Sequence, residues 1–160
     1  MPSNLGVGLI VCIKQGADID AQGGHYGNAL QAALARGHLE IAQMLIQKDA
    51  NVNIQDGRYG NALQAASAGG HLEIAQMLIL NDADINAQGE NGRYGNALQA
   101  ASAGGHLEIA QMLILKDADI NAQGGEYGNA LQAASAGGHL EIAQMLIQKG
   151  AEQMDSLSNQ

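Results

Sequence analysis

The sequence contains no phenylalanine and no tryptophan, and its aromatic side chains are limited to four tyrosines. A single deep core in a chain of 160 residues normally uses large aromatic side chains to fill its centre. The hydrophobic fraction still reaches 46%, so alanine and the aliphatic side chains must supply the buried surface. This composition suits a stack of thin layers and argues against one deep core.

Cysteine is almost absent as well. The single residue, Cys12, excludes an intramolecular disulfide framework and is typical of a protein in a reducing compartment. No Asn-X-Ser/Thr acceptor site occurs, and no apolar run approaches the roughly 20 residues that a membrane span needs. Residues 5–13 form an apolar run of signal-peptide size, but it lacks a basic leader and a small-residue cleavage site. We therefore expect a soluble protein with cytoplasmic, intracellular localisation.

Basic side chains are also scarce. The chain has 7 lysines and arginines against 16 aspartates and glutamates, which gives a formal net charge of −9. Such a charge repels the phosphates of nucleic acids and the surface of anionic membranes. The charge balance therefore argues against a nucleic acid and against a membrane as the partner.

What the chain has in abundance is one repeated segment. The stretch YGNALQAASAGGHLEIAQMLI begins at Tyr59, Tyr94 and Tyr127, and a slightly altered copy begins at Tyr26. The asparagines of the Gly-Asn-Ala-Leu motif follow one another at intervals of 33, 35 and 33 residues. These asparagines are Asn28, Asn61, Asn96 and Asn129. A fixed period of this length is the sequence signature of a solenoid, in which each unit packs on its neighbours.

The first half of each unit predicts a turn and a short helix. In the second unit, Asp56-Gly57 is typical of a type I′ turn, in which both central residues have positive φ. Asn61 is a favoured N-cap, and Gln64 has the spacing of a capping box, which predicts that its side chain returns to the N–H of the cap. The helix that follows is rich in alanine and short, so it can approach a neighbouring unit closely.

The second half of each unit predicts a longer helix. Gly69-Gly70 end the first helix, and the apolar segment that begins at Leu72 forms the second. Apolar residues occupy more than one face of this segment, which predicts burial between two neighbouring units with only Glu73 and Gln76 facing solvent.

A turn, a short helix, a second turn and a longer helix within 33 residues resemble an ankyrin repeat. Gly-Asn-Ala-Leu-Gln-Ala-Ala, Gly-His-Leu-Glu and Asp-Ala-Asp-Ile-Asn stand where the family has Thr-Pro-Leu-His-x-Ala-Ala, Gly-His-Leu-Glu and Gly-Ala-Asp-x-Asn. The amino-acid sequence of the units also resembles that of ankyrin arrays at the C-termini of fungal NACHT-type intracellular receptors. The resemblance implies an all-α repeat solenoid of stacked helix-turn-helix units with β-hairpin-like connecting turns.

On this resemblance we expect the chain to divide into repeats along its whole length. The expected boundaries are a partial N-terminal repeat at 1–20, ankyrin repeats at 21–53, 54–86, 87–121 and 122–154, and a tail at 155–160. The third full repeat carries a two-residue insertion in its turn, and the unchanged sequence around that insertion predicts that the turn faces solvent. The glycine that ends the family's second helix is aspartate in three units, which predicts slightly weaker helix ends there. These aspartates are Asp49, Asp82 and Asp117.

Two patterns resemble metal sites and have simpler interpretations. Residues 82–93 begin like a calcium loop, but Ala87 replaces the glycine of the sixth position and Arg93 replaces the glutamate of the twelfth. The segment is therefore interpreted as a helix exit loop. One histidine per unit begins each second helix, and no cysteine or second histidine stands at ligand spacing within a unit, so we interpret these histidines as packing residues. We expect no metal, no cofactor and no catalytic residues, because the chain has no unique constellation of reactive groups.

Residues that differ between otherwise matching copies are the candidate binding residues. The position before each tyrosine varies, the insertion adds two polar residues, and one first helix ends in arginine where the other copies have glycine. The predicted partner-binding residues are His25, Arg36, Arg58, Glu90, Asn91, Arg93 and Glu126. In the ankyrin family these positions lie in and beside the turns, so the resemblance implies that the arginines face an acidic or polar surface. The tyrosines beside them either brace the turns or form a contact ladder, and we favour bracing.

The functional expectation is a non-catalytic protein–protein interaction scaffold within a larger intracellular receptor or adaptor. Its partner is another protein, which binds the concave face formed by turn tips and first helices. The alternative is a structural spacer that associates with itself and has no dedicated ligand. In that case the apolar N-terminal residues would associate end to end, unless the chain is a fragment of a longer array. These residues are Leu5, Val7, Leu9, Ile10 and Val11.

Overall fold

The computed structural model describes residues 14–89 and 92–151, and within them the chain forms four pairs of helices. Each pair consists of a short first helix and a longer second helix. The pairs in chain order are α1 (Ala29–Ala35) with α2 (Leu39–Gln47), α3 (Ala62–Gly69) with α4 (Leu72–Leu80), α5 (Ala97–Gly104) with α6 (Leu107–Leu115), and α7 (Ala130–Ala136) with α8 (Leu140–Gln148). The expected all-α repeat solenoid is confirmed.

The first helices pack more closely on one another than the second helices do. Their alanines explain this difference, because a methyl side chain lets two backbones approach. Ala62, Ala65 and Ala66 of α3 are all buried at this contact, and the equivalent alanines of α5 are buried in the same way. The small side chains of the repeated motif therefore set the spacing between units.

An aliphatic seam holds each second helix in the stack. In α4, Ile74, Ala75 and Leu78 are buried, and the equivalent residues of the other units are buried as well or nearly so. Complete burial of one Leu or Ile side chain stabilises a fold by about 1.5–3 kcal/mol. Because the same seam recurs in every unit, the stack is stable without a large aromatic core.

The second helices are less buried than the sequence analysis expected. Leu80 of α4 is 83% exposed, although only Glu73 and Gln76 were expected to face solvent. Leu80 follows these two residues by seven and four positions and therefore lies on the same helix face. The equivalent residue of α6, Leu115, is 80% exposed. The expectation was wrong because the seam uses fewer faces of the helix than its apolar sequence offers.

The asparagine caps are confirmed, but the reciprocal half of the expected capping box is wrong. Asn61 Oδ1 accepts the backbone N–H of Gln64 at 2.8 Å, and the other first helices repeat this bond. The side chain of Gln64 points instead to the next unit, where its Nε2–H donates to the carbonyls of Ala87 and Gly95, both at 3.3 Å. This glutamine therefore joins neighbouring units and does not close its own helix.

The turns are hairpin-like, as expected, but the turn at Asp56 is not of type I′. Gly57 has a φ of +71°, whereas Asp56 does not adopt positive φ. Asp56 Oδ1 accepts the N–H of Gly57 at 2.7 Å and so stabilises a different turn. The turn closes through a backbone hydrogen bond from Asp56 N–H to Gly60 O at 2.8 Å. In the third full unit, the corresponding bond runs from Gly89 N–H to Gly95 O and encloses the insertion.

Gly60 allows the turn and the first helix to meet. Its φ is +92°, and a Cβ atom at this position would lie 2.2 Å from Oε1 of Gln64. The equivalent Gly95 donates its backbone N–H to Oε1 of Gln99 at 3.0 Å. The missing side chain therefore leaves room for the glutamine that links the units.

The loops that leave the second helices form a second link between units. Asn53 donates its Nδ2–H to the carbonyl of Asp82 at 3.0 Å and accepts the N–H of Asp84 at 2.8 Å. Asn86 repeats both bonds with the next unit, at 3.2 and 2.7 Å. Asp82 itself has a φ of +65°, which is costly for a residue other than glycine. The loop that resembled a calcium site thus uses its polar groups to connect repeats.

Two of the histidines at the starts of the second helices, His106 and His139, make a third link between units. Nε2 of His106 lies 3.0 Å from the carbonyl oxygen of Ala68, at the end of the preceding first helix. His139 makes the same contact with Ala103 in the next unit, also at 3.0 Å. The last carbonyls of a helix have no partner within that helix, so each histidine satisfies one of them. This contact agrees with the interpretation of these histidines as packing residues.

Candidate partner-binding surface

Four of the predicted binding residues lie in one row along the turns. We call His25, Arg58, Arg93 and Glu126 the turn row. The N–H of Arg58 donates to His25 O at 3.0 Å, that of Arg93 to Arg58 O at 3.2 Å, and that of Glu126 to Arg93 O at 3.0 Å. All four side chains are exposed. The structure therefore joins one variable residue from each unit through its backbone and leaves the side chain in solvent.

The tyrosines that follow the turn row stack on one another. The ring centroids of Tyr59 and Tyr94 are 6.5 Å apart, those of Tyr94 and Tyr127 are 6.3 Å apart, and both pairs are within 15° of parallel. These three residues are the tyrosine stack. Tyr26 instead meets His25 edge to face at 5.0 Å. The half-buried rings of the stack connect neighbouring turns, which agrees with the interpretation that they brace the turns.

Each predicted arginine lies against a tyrosine ring. The guanidinium carbons of Arg36, Arg58 and Arg93 are all 5.8 Å from the centroid of a tyrosine ring, which belongs to Tyr26, Tyr59 and Tyr94 respectively. At this distance the positive charge is attracted to the face of the ring. Sequence reasoning considered the arginines and tyrosines separately and missed this contact. The repeated Arg-Tyr pair at 58–59 and 93–94 is the signal that could have shown it.

Arg93 makes further contacts with the last described unit. Its Nε–H donates to Oε2 of Glu126 at 3.2 Å, and its Nη2–H donates to the hydroxyl of Tyr127 at 3.1 Å. Its guanidinium also lies 5.9 Å from the centroid of the Tyr127 ring. The electrostatic influence of Tyr94 is the main cause that raises the pKa of Arg93, and burial raises the pKa of the Tyr94 hydroxyl. Both groups therefore keep their protons at neutral pH.

A shallow depression of about 430 Å³ extends along the turns of the second, third and fourth full repeats. Its wall consists of Arg58, Gly92, Arg93 and Glu126. Two of these residues are cationic and one is anionic, so the depression can bind an anionic or hydrogen-bond-accepting group. Among residues 14–89 and 92–151, no group of three or more His, Cys, Asp or Glu side chains is arranged to hold a metal ion.

The remaining predicted residues are distributed differently. Arg36 is the C-cap residue of α1 and lies at the end of that first helix, where its side chain is exposed. The other seven predicted residues lie outside the described residues. They are Glu90 and Asn91 of the insertion and the N-terminal set Leu5, Val7, Leu9, Ile10 and Val11.

Over the described ranges, four stacked pairs of helices joined by hairpin-like turns define a helical repeat protein. The family model for ankyrin repeats, which describes three copies, matches residues 6–89 and 63–156 of the chain. The chain therefore belongs to the ankyrin repeat family. No curated protein matches it. Ankyrin repeats generally mediate protein–protein interactions and are typically non-enzymatic. In the part of the chain that the structure describes, no helix has the length and apolar character to cross a membrane.

Proposed function

We propose that this protein is a non-catalytic scaffold that binds another protein along the turn row and the neighbouring ends of the first helices. The observation that carries the proposal is the contrast between constant packing residues and variable turn residues. The seam, the caps and the loop asparagines repeat almost unchanged, while the turn row changes from histidine through two arginines to glutamate. Variation concentrated at exposed positions is expected of a surface that recognises something outside the chain.

The contacts of the turn row support recognition in a second way. A free arginine side chain loses conformational entropy when a partner immobilises it, and this loss weakens binding. Here the guanidiniums of Arg58 and Arg93 already lie against tyrosine rings that are stacked and half-buried. The arginines are thus partly oriented before a partner arrives. Arginine and tyrosine are also the residue types that often dominate the energy of protein interfaces.

We further propose that the array is one part of a larger intracellular receptor or adaptor. The amino-acid sequence of its repeats resembles that of the C-terminal arrays of fungal NACHT-type receptors. In such a protein the repeats would select the partner and another domain would carry the response.

Charge reversal at the turn row tests the proposed surface. The double variant Arg58→Glu, Arg93→Glu should lose the partner proteins that the wild-type array captures from lysate of its source cells. The matched control is Lys48→Glu, Lys116→Glu, which changes the net charge equally at two exposed lysines that follow second helices. The control should keep those partners, and both variants should remain folded, with thermal midpoints within a few degrees of the wild type. If the turn variant captures the same proteins as the control, the proposed surface is wrong.

A self-associating spacer is the second candidate. Leu140 and Ile147 of α8 are 73% and 44% exposed, whereas the corresponding residues of α6 are half-buried against the next unit. These side chains give the last described repeat an apolar end. Among the described residues, the two most exposed large apolar side chains, Leu80 and Leu115, belong to inner repeats and not to this end. Light scattering across a concentration series tests the alternative: a mass that rises with concentration supports the spacer, and a constant monomer mass excludes it.

A further inference from the structure

Arg58 and Arg93 occupy equivalent positions in neighbouring units but have unequal surroundings. Arg93 donates hydrogen bonds to Glu126 and Tyr127. The guanidinium of Arg58 lies over the ring of Tyr59, and within residues 14–89 and 92–151 it makes no hydrogen bond and no ion pair. A guanidinium has five N–H donors, so both arginines retain donors for an external acceptor.

The guanidiniums of Arg58 and Arg93 lie over neighbouring tyrosine rings and border the same depression. The Tyr59 and Tyr94 rings that support them are 6.5 Å apart and nearly parallel, and Arg93 N–H is bonded to Arg58 O. Arg58 and Arg93 both contribute to the wall of the depression. Two cations on one wall repel each other, and an anion between them would relieve this repulsion while accepting hydrogen bonds from both.

We propose that this depression is a seat for one carboxylate of the protein partner, from an aspartate or glutamate side chain, and that Glu126 competes with it for Arg93. The inference rests on the proposed function and deepens it by naming the chemistry of the partner. Along the row, the charges would then alternate from Arg58 to the partner's carboxylate, to Arg93 and to Glu126. Such alternation is the arrangement of lowest electrostatic energy for these four groups.

The shape and charge of the depression favour a carboxylate over other anions. The wall has a glycine and three charged side chains, whereas enclosed small-molecule pockets are mostly apolar. A side chain that enters from a partner fits this open, polar wall. A phosphoryl group would bring a second negative charge close to Glu126, so the singly charged carboxylate is the better match.

The ion pair between Arg93 and Glu126 gives the seat its selectivity. The two side chains are 41% and 64% exposed, and an ion pair this exposed is worth less than about 1 kcal/mol. A partner carboxylate can therefore share Arg93 or displace Glu126 at small cost. A weakly held internal carboxylate of this kind discourages weak anions such as free acetate while admitting a carboxylate that is positioned by other contacts.

A displayed library of random peptides, selected on the intact array, tests the proposal. We expect the selected peptides to be enriched in Asp or Glu at one position. For a selected peptide, Arg58→Gln should raise Kd about tenfold, which corresponds to about 1.4 kcal/mol. Lys116→Gln is the matched control, because Lys116 is an exposed cation that follows a second helix and is not part of the depression or of the proposed binding surface. It should change Kd by less than about twofold, since distant surface charges are screened by salt.

Removal of the carboxylate of Glu126, the internal competitor, should change the Kd of a selected peptide in the opposite direction. Glu126→Gln should lower Kd about threefold, because an exposed ion pair of this strength no longer opposes the partner. Glu141→Gln, at an exposed position in the first turn of α8, removes the same charge away from the seat and should leave Kd unchanged. Glu90 stays as it is in every variant, so its charge is common to all the measurements.

The outcomes separate this inference from the proposed function. Peptides that need the turn row but show no acidic preference, or that respond equally to Arg58→Gln and Lys116→Gln, overturn the proposed carboxylate site and leave the binding surface intact. Equal responses to Glu126→Gln and Glu141→Gln overturn the competitor. Peptides that ignore every turn substitution, or a library that returns no binder, count against both proposals.

Discussion

The two edges of each repeat are linked to their neighbours by different chemical groups. At the turn edge, backbone N–H and C=O groups connect Arg58 to His25 and Arg93 to Arg58. At the exit-loop edge, the side chains of Asn53 and Asn86 bond to the backbone of the next unit. A link made by backbone leaves the side chain free to vary, whereas a link made by a side chain fixes its identity. The turn edge can therefore specialise in recognition while the exit-loop edge maintains the stack.

The largest expected effect comes from the backbone of the turn edge. Gly60→Ala should reduce the free energy of unfolding by about 3 kcal/mol, because it adds strain at positive φ and a clash with Gln64 Oε1. Urea denaturation measures this loss. Gly24→Ala is the control, since Gly24 has a similar φ of +74° but an added Cβ would meet nothing within 4 Å. Equal losses in the two variants would show that the close approach of Gly60 to Gln64 Oε1 does not contribute to the free energy of unfolding.

A smaller loss is expected from a single asparagine of the exit-loop edge. Asn86→Ala removes two hydrogen bonds between units and should cost about 1–2 kcal/mol, at roughly 0.5–1.5 kcal/mol for each bond. Thermal and urea unfolding measure the effect. Asn81 provides the comparison, because its side chain bonds to Met77 O within its own helix. Asn81→Ala should cost less than Asn86→Ala, and the reverse order would contradict the assigned role of the exit-loop asparagines.

The smallest expected effect is a gain of stability at the same edge. Asp82 has a φ of +65° and contributes its backbone carbonyl to the link with Asn53. Asp82→Gly keeps this carbonyl and removes the strain at positive φ, while glycine adds conformational entropy to the unfolded chain, so the net gain should be about 0.5 kcal/mol. Asp84→Gly should instead destabilise it, since Asp84 Oδ1 accepts the N–H of Asn86. Calorimetric midpoints compare the two variants, and a loss of stability in Asp82→Gly would show that its side chain has a role of its own.

Much of this architecture could be predicted from sequence because each unit repeats its own signals. The Asn61 cap, the Gly69-Gly70 break and the variable turn row are all visible in the printed repeats. The direction of the Gln64 side chain was not predictable, because a capping-box spacing describes contacts within one helix and this side chain bonds to the next unit. The exposure of Leu80 was missed for a related reason: hydrophobicity indicates which faces can be buried, and only the neighbouring helices decide which are.

The candidate site was predicted less completely than the fold. Variation between copies identified Arg58 and Arg93 and placed them in the turns, but it carried no information about what they contact. Their positions over tyrosine rings and the bond from Arg93 to Glu126 depend on the spacing between stacked units. That spacing is set by the buried alanines of the first helices, and the sequence does not show how closely those helices approach one another.

One comparison of unfolding free energies tests the division of roles between the two edges most directly. In one variant, alanine replaces all four residues of the turn row. In the other, it replaces the three exit-loop asparagines, Asn53, Asn86 and Asn121. We predict that the turn-row variant loses about 1 kcal/mol, as expected for exposed ion-pair and ring contacts, and no longer binds the partner. The exit-loop variant should lose about 3 kcal/mol and retain partner binding while folded. A turn-row variant as destabilised as the exit-loop variant would contradict the account.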